Sequence, residues 1–303
     1  MATKKAASTK KATAKKPAAA NKTTVRTVSA GAKPASRTVA TPVARERKVS
    51  ALPGNIVNIV FAEIVGTFVL TLVALLAFKE TGALYLGLAF ALTTLAVGAV
   101  SGAHFNPAVT FGLWSMRRLK ALLLPFYWGS QLLGGMLAVI VINLLTNGSL
   151  KLDFGHFNLL NMNWALFGIE MIGAAVFMFG LAAIINRREL TTVSRAFGVG
   201  TAFAVGLLVA SSLLASVQGA VDTSKITEVK DIPHELRVKS ATLNPAIALA
   251  ATEQGDSSFT GTRADSKEKQ YSRFTWEVIA GTLIGAAVGG NLYLLVAGAR
   301  RHD

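Results

Sequence analysis

Long apolar segments alternate with short polar ones along the chain from residue 56 onwards. Six of the apolar segments come close to the ~20 residues that a helix needs to cross ~30 Å of hydrocarbon. Because lipid offers the backbone no water to bond, each is predicted to form a transmembrane α-helix. The six predicted spans are Ile56–Phe78, Leu84–Val100, Ala121–Leu145, Trp164–Ile185, Ala196–Val217 and Phe274–Ala299.

Two shorter apolar segments, Asn106–Ser115 and Asn244–Thr252, each begin with Asn-Pro-Ala. Asn is a favoured N-cap residue and Pro is favoured at the first helical position, so each segment is predicted to be a short helix. A helix of about ten residues covers only half a bilayer. We therefore predict an all-α membrane protein with six transmembrane helices plus two re-entrant half-helices, whose N-termini meet at the bilayer midplane.

The two Asn side chains are the first candidates for a functional site. If the Asn carbonyl oxygen caps the helix, the amide N–H groups are free to point into a lumen. Two such donors and two positive helix-dipole ends would bind water through its oxygen and repel cations. The candidate pore residues are Asn106, Pro107, Ala108, Asn244, Pro245 and Ala246.

Composition supports a membrane protein with a separate basic tail. Of the 303 residues, 52% are hydrophobic and 16% are charged, against about 25% charged residues in soluble proteins. Residues 1–50 hold 13 of the 31 Lys and Arg and one of the 16 acids, so they carry +12 of the net charge of +15. Residues 1–55 are predicted to be a disordered cytoplasmic tail that is solvated, or that binds anionic lipid headgroups or nucleic-acid phosphates.

Basic residues in the connections between the predicted helices indicate their orientation. Most of these residues lie in connections on one side of the membrane, whereas the short connections on the other side hold only Lys79 and Lys151. By the positive-inside rule, the Arg-rich side and both termini are cytoplasmic, and we expect a multi-pass protein of the plasma membrane. The basic residues outside the tail that define this side are Arg117, Arg118, Lys120, Arg187, Arg188, Arg195, Arg300 and Arg301.

The two halves of the chain contain similar sequence segments in the same order. The sequence EIVG at 63–66 matches EMIG at 170–173, and QLLGG at 131–135 resembles TLIGA at 282–286. With three spans in each half, the second half must enter the membrane from the opposite face, and such inverted repeats hold their functional site near the midplane. The predicted channel domain is 56–303, with repeat one at 56–146 and repeat two at 164–300.

Glu63 and Glu170 lie inside apolar segments, where a carboxylate needs a partner. They could be an enzymatic acid/base pair, a proton relay, or acceptors for the backbone N–H groups of the two re-entrant loops. The chain has no Cys, and none of its four His pairs with another at helical spacing. We therefore expect the structural role, with His104 bracing the first loop in a similar way, and neither an enzyme, a cofactor nor a metal site.

Taken in order, these segments resemble the aquaporin, or major intrinsic protein, family. The resemblance covers roughly residues 56–300 and rests on AEIVGTF (62–68), SGAHFNPAVT (101–110), QLLGG (131–135), Glu170 and the second Asn-Pro-Ala. It implies a homotetramer in which each subunit has its own pore, passing water, with small neutral solutes such as glycerol as a second candidate. It also implies that Glu63 and Glu170 brace the loops.

The chain departs from this family at the outer selectivity constriction. The family's arginine after the second Asn-Pro-Ala is replaced by Ile247, its aromatic position on the second span falls on Leu86, and its histidine position on the fifth span falls on Leu207 or Gly206. The pore is then wider and less polar, or a basic residue from an insertion replaces the arginine. We expect proton exclusion to be reduced rather than abolished.

The insertion lies before the second Asn-Pro-Ala, at roughly Gln218–Ser240. Glu and Asn are 74 residues apart in the second half and 43 in the first, which leaves 31 extra residues. Arg237 and Lys239 are its candidates for replacing the arginine. The insertion either caps the outer mouth or is a solvated loop, and we expect the loop.

A membrane scaffold with a degenerate pore, whose basic tail tethers lipid or nucleic acid, is the alternative function. Two intact Asn-Pro-Ala segments favour the channel, because a scaffold needs no lumen-facing amides. A secondary transporter also uses inverted repeats, but the spans offer no substrate-binding charge beyond the two glutamates.

Overall fold

The computed structural model describes residues 52–77, 82–146, 152–155, 157, 162–261 and 270–298. The predicted tail and the terminal Arg300 and Arg301 lie outside these residues, apart from residues 52–55. The helices are α1 (Ile56–Leu76), α2 (Gly82–Ser101), α3 (Pro107–Ser115), α4 (Leu124–Leu145), α5 (Trp164–Ile185), α6 (Thr192–Gly219), α7 (His234–Arg237), α8 (Pro245–Ala250), α9 (Ser257–Thr260) and α10 (Trp276–Val296).

Within the described ranges, six helices are long and apolar enough to cross a membrane, and they confirm the six predicted spans. The third span is α4 together with a preceding 3₁₀ turn, Ala121–Leu123. The fifth is longer than predicted: α6 begins at Thr192 because Thr191 caps it, its hydroxyl accepting from Ser194 N at 3.1 Å. Three of the four residues of this first turn are polar, so an apolar pattern could not reveal it.

The long helices form a bundle in which neighbouring helices pack side by side. Helix α1 packs on α4 and α2, α2 on α6, α6 on α5, and α5 on α10. Small residues allow the closest of these approaches: a Cβ at Gly285 or Gly289 would overlap the carbonyl groups of Met171 and Ala175, so α10 and α5 meet backbone to backbone.

Helices α3 and α8 are the two predicted short helices. Both begin directly after an Asn and lie among the long helices, α3 mainly against α10 and α8 mainly against α4. The second is shorter than predicted and ends at Ala250. Thr252 forms an isolated bridge with Ser272 instead, which turns the chain away from the helical path.

The helix ends define two faces of the bundle. On one face, which we call the basic face, Arg118 donates to the side chain of Asn186 and Arg195 donates to the carbonyl oxygen of Arg187. On the other, which we call the insertion face, Asn163 N donates to Glu277 at 2.7 Å. A parallel pair, β1 (Leu152–Asp153) and β2 (Gln270–Tyr271), joins the connection between α4 and α5 to the connection before α10 there.

The insertion is folded, and the expectation of a solvated loop is wrong. Besides α7 it contains two 3₁₀ turns, and Ile232 and Val238 are buried. Gln218 Nε2 donates to the carbonyl oxygens of Glu235 and Val238, both at 2.8 Å. The insertion folds because these apolar side chains and backbone groups find partners at the end of α6 that sequence spacing does not reveal.

Candidate functional site

The two Asn residues before α3 and α8 are N-caps. Asn106 Oδ1 accepts from Ala108 N at 2.8 Å, and Asn244 Oδ1 accepts from Ala246 N at 2.9 Å. In each helix the following Pro stands at the first position, where its missing N–H leaves no unpaired donor. The sequence-based prediction of the caps is confirmed.

Each Asn also bonds to the loop that carries the other. Asn106 Nδ2 donates to the carbonyl oxygen of Leu243 at 2.8 Å, and Asn244 Nδ2 donates to that of Phe105 at 2.9 Å. Both Asn side chains are 0% exposed. A carboxamide has two N–H donors, so the expectation that both stay free is wrong: one of each joins the two loops, and one remains.

The first loop is held by Glu63 of α1. Its carboxylate accepts from His104 N at 3.1 Å and from Phe105 N at 2.7 Å, and Gln131 Nε2 of α4 donates to it at 2.7 Å. Ala103 and Phe105 have φ of 57° and 49°. Left-handed backbone at a residue other than glycine costs on the order of 1–3 kcal/mol and persists only where surrounding contacts fix it.

His104 belongs to the same buried group of side chains. Its Nδ1 lies 3.1 Å from Thr110 Oγ1, which also receives Gln131 Nε2 at 2.9 Å. Its ring stacks on Tyr127 at a centroid distance of 4.3 Å, and the Tyr127 hydroxyl donates to the Ser101 carbonyl oxygen at 2.5 Å. The side chain of His104 therefore connects the first loop to α3 and α4.

The second loop is held by Glu170 of α5. Its carboxylate accepts from Thr242 N at 3.1 Å and from Leu243 N at 2.8 Å, and Leu243 has a φ of 51°. The Thr242 hydroxyl also donates to this carboxylate at 3.3 Å, and in place of a neutral amide the guanidinium of Arg273 lies beside it, with Nη2 3.5 Å from Oε1. Arg273 is only 3% exposed.

Arg273 is a site residue that sequence reasoning missed. A signal was present, because TLIGA at 282–286 puts Thr282 where the first half has Gln131. A threonine is too short to replace that amide, so the second carboxylate needed a donor from elsewhere. The arginine directly before α10 supplies it.

The charged group continues from Arg273 towards the insertion face. Arg273 Nη1 lies 4.0 Å from Glu253 Oε1, and His234 Nε2 lies 2.6 Å from the same oxygen. The backbone N–H of Arg273 also donates to the carbonyl oxygen of Ala251, just beyond α8, at 2.9 Å. The insertion, the end of α8 and the start of α10 are thereby joined to Glu170.

The three residues predicted to form the outer constriction, Leu86, Leu207 and Ile247, are all buried and belong to one apolar cluster. Neither proposed replacement for the arginine bonds to them. Arg237 donates to Asp256 at 2.8 Å and to the Val229 carbonyl oxygen at 2.9 Å.

The other replacement, Lys239, donates to Thr252 at 3.3 Å. Burial lowers the pKa of Lys239, while the negative charge of Glu253 acts in the opposite direction. Arg237 also makes a cation–π contact with Phe259 of α9, with the guanidinium carbon 5.5 Å from the centroid of the ring. Both basic residues thus bond to the connections on the insertion face.

Four phenylalanine rings, among them that of Phe105 directly before Asn106, form a buried cluster that sequence reasoning missed as well. Phe90 of α2 contacts Phe105, Phe177 and Phe203 at centroid distances of 5.7, 5.8 and 5.3 Å. Phe177 of α5 and Phe203 of α6 are 4.9 Å apart. We call these four residues the ring cluster; each is at most 2% exposed.

Comparison with known proteins identifies relatives of this chain. The family described as "Major intrinsic protein" matches residues 56–222. Aquaporin Z of Photorhabdus laumondii is 44% identical over 104 residues, which are 30% of this chain and 45% of that protein, so this match spans less than half of the relative. Probable aquaporin TIP3-2 of Oryza sativa subsp. japonica is 31% identical over 221 residues, 71% of this chain and 68% of that protein.

Among solved structures, the aquaglyceroporin from Plasmodium falciparum aligns over 79% of this chain and 94% of that chain. It is 18% identical, and the TM-score is 0.48.

Proposed function

Because the chain belongs to the major intrinsic protein family, we propose that it is a passive transmembrane channel for water, with glycerol-like neutral solutes as the second candidate cargo. The observation that carries this proposal is the reciprocal bonding of Asn106 and Asn244. It fixes the N-termini of α3 and α8 against each other inside a bundle of apolar helices. A scaffold without a pore has no need of paired helix N-termini at its centre.

The Asn pair orients water and excludes cations. Each helix N-terminus carries a partial positive charge, and each Asn keeps one amide N–H beyond the bond to the opposite loop. Water passing this point bonds through its oxygen to these donors, which interrupts the chain of hydrogen bonds that a proton would follow. Cations are repelled by the positive N-terminal ends of α3 and α8. They also lose bound water there without finding acceptor oxygens to replace it.

The two loops that carry the Asn pair are held in place by Glu63, Glu170 and His104. Their bonds to the backbone and to Thr110 hold both loops in conformations that non-glycine residues seldom adopt. Neither glutamate takes part in chemistry: each serves as a buried acceptor for N–H groups that lipid cannot satisfy. The protein is on this reading a channel and not an enzyme.

The outer constriction is apolar. Leu86, Leu207 and Ile247 provide it, and it lacks the arginine of the family pattern. Arg237 and Lys239 bond elsewhere, which supports the view that neither replaces that charge. The barrier to cations therefore rests mainly on the helix ends, and we expect a weaker proton barrier than an additional arginine would give.

In the membrane, the basic face is cytoplasmic, together with both termini, and the insertion face is external. This orientation follows from the Arg residues of the connections. We place the protein in the plasma membrane as a homotetramer with one pore per subunit, built from inverted repeats at 56–146 and 164–300. The basic tail, residues 1–55, attracts anionic lipid headgroups.

Stopped-flow light scattering on proteoliposomes tests the channel. Osmotic shock should shrink protein-containing vesicles faster than protein-free vesicles of the same lipid and size. An Asn106→Ala, Asn244→Ala double variant, incorporated to the same density, serves as the control with the central pair removed. Wild-type vesicles that respond at the protein-free rate would leave the scaffold as the better explanation.

A further inference from the structure

The ring cluster occupies a defined depth in the bundle. Phe90 follows Leu86 by four residues on α2, and Phe203 precedes Leu207 by four residues on α6, so each pair lies on one helix face. One such step is about 6 Å along a helix axis. Because α2 runs away from the insertion face and α6 runs towards it, both rings lie one turn deeper than the two leucines.

At its inner side the cluster reaches the Asn pair. Phe105 belongs to the cluster through its contact with Phe90, and its carbonyl oxygen receives the amide of Asn244. Phe90 and Phe203 therefore lie between the apolar residues of the outer constriction and the bonded amides. On a path from the insertion face through the centre of the bundle, the depth of these two rings comes before that of the Asn pair.

We propose that Phe90 and Phe203 form the narrowest part of this channel and decide its selectivity, an inference that rests on the proposed function. Their rings are 5.3 Å apart and fully buried, and the Asn side chains beyond them are buried too. Passage therefore requires the rings to turn aside. This narrowest part thus lies one helical turn deeper than the outer constriction formed by Leu86, Leu207 and Ile247.

The chemistry of this constriction selects water over polyols. Ring faces and edges offer no strong hydrogen-bond partner, so a solute must leave its own partners behind while it passes. One water gives up few bonds and regains them at the Asn pair. Glycerol has three hydroxyl groups, and burying hydroxyls without partners is costly. It is also wider, so the rings must move further apart to admit it.

Substitution of the two rings by valine tests the proposal. In proteoliposomes, Phe90→Val and Phe203→Val should each raise glycerol permeability by about tenfold relative to water permeability, which corresponds to ~1.4 kcal/mol in the barrier. Phe179→Val is the matched control, because Phe179 of α5 likewise makes an aromatic contact between two long helices, with Tyr293 of α10, but outside the ring cluster. It should leave both permeabilities unchanged.

Folding of each variant is checked by monodisperse elution in detergent. If a valine variant aggregates, Phe90→Leu and Phe203→Leu leave smaller cavities and should change the permeability ratio in the same direction. Water conduction that appears in the ring variants but not in the wild type supports a constriction at these rings and overturns the proposed conduction of the wild-type protein. If the wild type conducts water, and folded ring variants have the same water permeability and the same ratio of glycerol to water permeability, the proposed constriction is overturned. The proposed channel function is then unaffected. Protein-free permeability in every sample, ring variants included, overturns both.

Discussion

Arg273 and Glu170 form an ion pair inside the bundle, with Nη2 3.5 Å from Oε1 and both side chains at most 3% exposed. The carboxylate simultaneously holds the backbone of Thr242 and Leu243, directly before the second Asn-Pro-Ala. The position of that segment is therefore linked to a cation that lies three residues before α10 begins. In the first half a neutral amide takes the corresponding place, because Gln131 Nε2 donates to Glu63 there.

Removal of this cation should strongly destabilise the protein. Arg273→Gln leaves Glu170 buried without its counter-charge, and breaking a buried pair in this way costs ~3–5 kcal/mol. Thermal unfolding in detergent, followed by intrinsic fluorescence, should show a large fall in Tm. Arg187→Gln is the control: the exposed pair of Arg187 with Glu189 is worth about 0–1 kcal/mol. Equal Tm shifts for the two variants would contradict the structural importance of Arg273.

Loss of one acceptor at Glu63 should disturb the first loop. Glu63→Gln replaces one carboxylate oxygen by an NH₂ group. This group cannot accept the hydrogen bonds that Phe105 N and Gln131 Nε2 donate to the carboxylate in the wild type. A buried donor left without an acceptor costs ~1–3 kcal/mol. We expect a lower Tm and reduced water permeability in proteoliposomes. A Gln variant with wild-type values of both would show that the carboxylate is not needed to hold the loop.

A negative charge at the Asn pair should weaken cation exclusion. Asn244→Asp keeps the oxygen that caps α8 through Ala246 N, but it loses the donor to the Phe105 carbonyl oxygen. The new charge partly cancels the positive ends of the two helices. Dissipation of a pH gradient across proteoliposomes should be faster than in wild type, whereas Asn163→Asp, at the cap of α5, should not change it. A gradient that decays at the wild-type rate in both variants would argue against the helix ends as the cation barrier.

An arginine at the outer constriction should change selectivity. Ile247→Arg places a cation beside the apolar cluster and restores the family pattern, so proton leak and glycerol permeability should both fall relative to water permeability. Ile247→Leu keeps the position apolar and should leave the wild-type ratios intact. Stopped-flow measurements with water and glycerol, together with the pH-gradient assay, compare the three proteins. If the Arg variant matches the Leu variant in every flux, Ile247 does not lie at a selective point.

The amino-acid sequence alone determined the elements that depend on neighbouring residues. The length of each apolar run fixes whether a helix can span hydrocarbon, and α5 has the predicted bounds, Trp164–Ile185. The caps at Asn106 and Asn244 were equally predictable, because an Asn side chain reaches the N–H only two residues further on. The order of the Glu and Asn-Pro-Ala segments was enough to indicate the family.

The tertiary structure decided what depends on residues distant in the chain. The bonds between the two loops join residues 137 and 139 positions apart, and Arg273 lies 103 positions from Glu170. The contact of Phe90 with Phe203 likewise requires α2 to pack on α6. No local pattern encodes such pairs, because the packing of whole helices decides which residue each side chain contacts. The contacts that hold the Asn pair, and those that would give the proposed channel its selectivity, are of this kind.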